Sequence, residues 1–119
     1  MTEKNKIVDV FKYRKRTIVI IEMNWFSSGQ YHNGYVSCRP SSGQVNYEKT
    51  YSKISKINAD EATYDGFLGK EWDSDKIPHD MYFLGFDSVH SWNNPTNNNR
   101  YAVTERAKKF ADDMIKARI

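Results

Sequence analysis

The feature that most constrains this chain is Met81-Tyr-Phe-Leu-Gly-Phe86, a run without the polar alternation of a half-exposed strand. Six successive apolar and aromatic residues read as a strand buried on both faces. The strand then delivers Asp87 and His90 at its exit, with Trp92 close behind. Two groups able to hold protons or a metal, set beside an indole ring, make that strand end a candidate site.

The rest of the pattern supplies partners for this strand. Ile7 to Tyr13 alternates apolar and polar residues, and Thr17-Ile-Val-Ile-Ile-Glu-Met23 is β-branched and apolar. Together they read as a hairpin broken at Arg14-Lys15-Arg16. Ser27-Ser28-Gly29 is a turn signal, Gln30 to Cys38 a third strand, and Arg39-Pro-Ser-Ser-Gly43 its end. Asn46 to Lys56 carries a weak helical spacing of Tyr47, Tyr51 and Ile54, so a short helix or compact loop is expected there. Ala62 to Leu68 is a candidate strand, and Gly69 to Asp80 reads as a polar loop containing Trp72.

The last segment is the clearest helix. Val103, Ala107, Phe110, Ala111, Met114 and Ile115 fall on one stripe, and Asn99 is placed to cap it. The expected fold is α+β: a meandering antiparallel sheet of about five strands, one face packed against this C-terminal amphipathic helix. No repeat or linker divides residues 1–119, which are read as a single compact domain.

Composition limits the function classes. Cys38 is the only cysteine, so an intrachain disulfide is excluded and a reducing compartment fits. The longest apolar run, Thr17 to Ile21, is far too short for a membrane span, and no hydrophobic leader follows the first residues. Charge is uneven. Residues 1–16 hold six Lys/Arg against two acids and residues 100–119 six against three, whereas 17–99 hold six against ten. If the termini lie together, the molecule has a basic and an acidic face. Eight Tyr, six Phe and three Trp exceed what a small core needs, and aromatics also build binding surfaces.

The order of motifs resembles a family of small phage and prophage proteins of unknown function, over roughly residues 17–115. The match lies in His32-Asn-Gly-Tyr-Val36, against the family's His-x-Gly-Tyr-Val strand, and in Gly85-Phe-Asp-Ser-Val-His90, against its Gly-Phe-Asp-x-Ala-His strand end. Between them the family carries His-Gly-Gly where this chain has Tyr64-Asp65-Gly66, so a site needing three histidines does not carry over. The resemblance implies a phage or mobile-element origin and a single compact α+β domain; with the reducing compartment read from Cys38, the expected location is the cytoplasm of an infected or lysogenic bacterium. The resemblance implies no activity.

Three sets of residues can carry chemistry. Asp87, His90 and His32 have the donor types of a two-His-one-carboxylate metal site, or of a carboxylate-oriented acid–base pair. The same residues also suit plain turn chemistry, with the carboxylate on turn amides. Trp92, Tyr35 and Tyr64, with Asp65 as a polar partner and Arg39 and Arg100 as phosphate ligands, could stack and hold a small anion. The Lys and Arg of both termini could meet nucleic acid, but no nucleic-acid-binding signature accompanies them and solvated surface is the simpler reading. No phosphate-cradling glycine loop, Gly-x-Ser-x-Gly elbow or His-Glu-x-x-His helix occurs.

The expected function is therefore an accessory protein, rather than an enzyme, that binds and sequesters a small anionic, nucleotide-like ligand and so counteracts host defence. No cofactor is expected, and assembly into a homo-oligomer would suit a pocket at a subunit interface. The alternatives are a metal-dependent hydrolase built on Asp87, His90 and His32, and a protein that blocks a host protein or nucleic acid by direct contact.

Overall fold

The computed structural model describes residues 5–25, 29–39, 63–87 and 99–119. They form five strands, β1 (Lys6–Tyr13), β2 (Arg16–Trp25), β3 (Gly29–Ser37), β4 (Tyr64–Gly66) and β5 (Phe83–Phe86). Among the described residues there are also two helices, a short α1 (Leu68–Trp72) and a long α2 (Arg100–Lys116). The strands make one sheet in the order β1-β2-β3-β5-β4, every neighbouring pair antiparallel. The α+β arrangement expected from the pattern is present. The meander is not complete, because β5 enters between β3 and β4. All four β5 residues are buried, whereas Tyr64–Gly66 is only half-buried. The run apolar on both sides takes the interior place, and the polar strand takes the edge.

Alternation along β2 divides the core in two. Ile18 and Ile20 join Val36, Leu84 and Phe86 under Val103, Ala107, Phe110 and Met114 of α2. Val19 and Ile21 join Tyr35 and Phe83 on the other side, against Leu68 and Ile77. We call these the helix face and the loop face. Burial of Val103, Phe110 and Met114 contributes about 1.5–3 kcal/mol each.

The loop face corrects the reading of residues 62–80. The strand expected over Ala62 to Leu68 shrinks to three residues, and the polar loop begins as a helix. Leu68 and Ile77 are each 1% exposed and anchor this segment to the sheet, with half-buried Trp72 and Met81 packed around them. Gly69 permits the fold-back: a Cβ there would lie 2.5 Å from the Pro78 carbonyl oxygen and 2.6 Å from that of Ile77. The segment expected over Asn46 to Lys56 lies outside the described residues. Among the described residues no helix is long and apolar enough to cross a membrane.

Helix α2 is tied down at both ends. Asn99 Oδ1 accepts from the Ala102 amide at 2.8 Å, the cap expected from sequence. Arg100 Nη2 donates to the Val8 carbonyl at 2.8 Å and lies 3.6 Å from Asp9 Oδ2, where the β1–β2 register shifts between Ile7 and Asp9. At the other end Asp112 accepts from the Tyr13 hydroxyl at 3.1 Å and from Arg14 Nη1 at 2.8 Å. The buried Arg16 guanidinium donates to the Ser37 carbonyl at 3.1 Å and to that of Ile119 at 3.3 Å. The two basic terminal segments therefore lie together.

A candidate ligand site on the loop face

Three strands align Tyr35, Gly85 and Tyr64 in one row, since Gly85 pairs with Tyr35 on β3 and with Tyr64 on β4. Gly85 has no side chain, so the two rings close over it. Their centroids are 5.2 Å apart at an interplanar angle of 89°, an edge-to-face contact. A Cβ on Gly85 would lie 2.8 Å from Tyr35 Cε2, inside any tolerable contact. The glycine in the middle of the apolar run is thus what admits the tyrosine pair.

Polar groups surround these rings. Asn33, two residues before Tyr35 and so on the same face, donates from Nδ2 to the Tyr35 hydroxyl at 3.2 Å. Thr63 donates to Asp87 Oδ2 at 3.3 Å, and its backbone amide donates to the Gly85 carbonyl at 2.8 Å. Asp87, just past β5, lies close enough to Tyr35 for its charge to act on that phenol, which puts it on the loop-face side. Glu71 of α1 brings its carboxylate beside the Tyr64 hydroxyl: a Cβ built on Gly66 would lie 2.6 Å from Glu71 Oε2 and 2.8 Å from that hydroxyl. Burial raises the Tyr64 pKa, and the Glu71 carboxylate raises it further. Burial also raises that of Tyr35; the Asn33 bond opposes this and the Asp87 charge adds to it. Both phenols are neutral donors at physiological pH.

Two atoms of this cluster lack partners. Asn33 Oδ1 and the Tyr64 hydroxyl are buried and make no hydrogen bond. A buried polar atom left unpaired costs about 1–3 kcal/mol, so folded proteins satisfy nearly all of them. Here an unpaired acceptor and an unpaired hydroxyl stand on one face beside two aromatic rings.

The other expected site residues are dispersed. His32 is buried on the helix face, its Nε2 3.9 Å from Glu22 Oε1 across the β2–β3 pair, so it does not share a face with Asp87. Asp65 points to the helix face and accepts from the Tyr82 hydroxyl. Arg100 is held on β1, and exposed Arg39 leaves β3 beside Ile119, its amide 2.6 Å from the Ile119 carbonyl oxygen. Neither arginine is brought to the tyrosines. His90 and Trp92 lie outside the described residues. Among the described residues no three of His, Cys, Asp and Glu are grouped to hold a metal. Burial pushes the Cys38 thiol up to about 12, so it is inert packing rather than a nucleophile.

Asn33, Thr63 and Glu71 were missed by sequence reasoning. Asn33 was within reach, because the alternation that places Tyr35 places it too. Glu71 was not, because its position depends on α1 folding back over the sheet. In comparisons with known proteins, no family model, no curated protein and no solved structure matches this chain.

Proposed function

We propose that this chain is a binding protein of phage or prophage type that captures and sequesters a small nucleotide-like ligand, with a host defence signal as its target. The observation that carries this reading is the pair of buried, unpartnered atoms, Asn33 Oδ1 and the Tyr64 hydroxyl, beside the Tyr35–Tyr64 rings. Aromatic rings with a few converging polar groups are the usual lining of a small-molecule site. Asn33 Oδ1, Glu71 and Asp87 accept hydrogen bonds and the Tyr64 hydroxyl donates one. That set complements the edge of a nucleobase, which carries amino and imino donors next to carbonyl and ring-nitrogen acceptors. The Glu71 and Asp87 carboxylates repel phosphates, so the base enters the tyrosine cluster and the anionic part of the ligand lies outside it. Neutral phenols favour capture over turnover.

Native mass spectrometry of freshly purified protein, followed by calorimetric titration with nucleosides and with mono-, di- and cyclic nucleotides, tests this reading. Retained mass of a few hundred daltons, or saturable heat with at least one of these compounds and no turnover, is expected. A bare chain that gives no heat with any of them would overturn it.

A further inference from the structure

At the end of the molecule opposite the α2 cap, the β1–β2 hairpin turns through only two residues, Arg14 and Lys15, because Tyr13 pairs with Arg16. Both have positive φ, 51° and 69°, the two-residue turn usually filled by Asn-Gly. An L-residue with a side chain pays a steric penalty in this conformation, so two long cations are an unfavourable choice on conformational grounds. Arg118 repeats the pattern beyond α2, with φ 60° where glycine is the common residue. Among the described residues the one other non-glycine residue with positive φ is Asp73, at the end of α1; the remaining three are all basic and gathered at one end, which points to a function for the cations.

The chain brings these groups together from three directions. Arg14, Asp112, Asp113, Ile115 and Lys116 line an open cleft of about 290 Å³. Arg39 leaves β3 next to Ile119, the residue after Arg118. Arg14 and Arg39 both lie close enough to Arg16 to depress its pKa, after burial, the larger cause. Of the acids at this end, Asp112 is taken by Tyr13 and Arg14 and Asp113 by Lys109. Lys15, Arg39, Lys116 and Arg118 are exposed, and among the described residues no carboxylate pairs with them. Helix-dipole compensation accounts for Lys116, but not for the turn or for Arg39.

We infer that this basic end, made of Lys15, Arg39, Lys116 and Arg118 around the Arg14–Asp112 pair, docks on the phosphate backbone of nucleic acid. It spans β1 to β3, two strand spacings or about 10 Å. Against a duplex carrying one charge per roughly 1.7 Å of axis, a patch of that width meets several phosphates at once. No apolar wedge that would enter a membrane accompanies it: among the described residues Tyr101 is the one exposed large hydrophobic, and it lies in the first turn of α2, at the other end. Among the described residues nothing at this end resembles a base-reading helix, and the proposed contact is independent of sequence. The inference stands apart from the loop-face ligand.

Fluorescence anisotropy with a labelled duplex DNA of arbitrary sequence tests it across a salt series. Binding is expected to weaken with salt, log K against log salt having a slope of about −3 to −4 for roughly four phosphates. The pair Lys15→Glu and Arg118→Glu is expected to weaken binding at least tenfold, whereas Lys70→Glu, at an exposed position of α1, leaves it unchanged. Lys15→Gly gives a second check that cannot be confused with misfolding: it relieves the turn, so Tm rises by a few degrees while affinity falls several-fold. Absence of duplex binding, a slope near zero, equal weakening by Lys70→Glu, or binding to phosphatidylserine vesicles without binding to duplex would each overturn the inference.

Discussion

The two faces of this sheet use the same strands for different ends. On the helix face, Ile18, Ile20, Val36, Leu84 and Phe86 meet an apolar stripe of α2, whose ends are capped and tied by Asn99, Arg100 and Asp112. On the loop face, Val19, Ile21 and Phe83 share their layer with Tyr35, Asn33 and Tyr64, and two of the polar atoms stay unpaired. One cover is a 17-residue helix; the other is a five-residue helix and a folded-back segment held by Leu68 and Ile77. The helix face carries the stability of the domain, and the loop face carries features that cost stability and suit recognition.

Substitutions can break this comparison. The largest effect is expected from Phe110→Ala on the helix face. Phe110 is 2% exposed and meets Phe86 edge to face at 5.5 Å, so its loss costs about 3–5 kcal/mol in urea unfolding and lowers the stability of the whole domain. A loss confined to α2, with β2 and β3 still protected from hydrogen exchange, would contradict a single cooperative core.

Alkaline pH acts through the same face. The buried Cys38 thiol is raised from an ordinary 9.0 to about 12. Because its folded pKa lies above the unfolded one, its contribution is complete below pH 9 and is lost as pH rises through that window, by about 4 kcal/mol at the upper end. The raised pKa values of Tyr35 and Tyr64 act in the same direction from about pH 10 upward. Cys38→Ala is expected to flatten the decline of urea midpoint between pH 9 and 10.5; an unchanged decline would show that the thiol titrates normally.

Gly85→Ala sharpens the comparison from the loop side. Its Cβ would drive into the Tyr35 ring, and Gly34 O stands only 3.0 Å away, so the ring must leave its partner. A loss of about 1–3 kcal/mol is expected, together with altered tyrosine fluorescence or near-UV dichroism and an α2 that exchanges as slowly as before relative to the globe. Full wild-type stability would mean that the rings do not close over the glycine.

The helix face was the legible half. A β-branched run at β2, a 3.6-residue stripe over Val103 to Met114 and a capping Asn99 are local signals, each read within one segment. Insertion of β5 between β3 and β4 was not, because strand order depends on pairings between residues far apart in sequence. The cover of the loop face was hidden for a related reason. Ile77 is an isolated apolar residue between Lys76 and Pro78, Leu68 reads as the end of a strand with Phe67, and no periodicity announces that the two anchor one segment. Tyr35 and Tyr64 could be named as candidates, but only the register across Gly85 joins them. His32 on β3 and Asp87 just past the end of β5 fall on opposite faces of the sheet, so spacing along the chain was a poor guide to that pair.

Tyr64→Phe tests most directly the claim that the loop face is built for recognition. The change removes the unpartnered hydroxyl and keeps the ring. Stability by urea unfolding is expected to stay within about 1 kcal/mol of wild type or to rise, because a buried unsatisfied group is lost. Affinity for the nucleotide identified by titration is expected to fall about tenfold, the worth of one buried hydrogen bond. A variant destabilised by more than about 1.5 kcal/mol that binds that nucleotide as tightly as wild type would assign the hydroxyl to the fold and contradict the account.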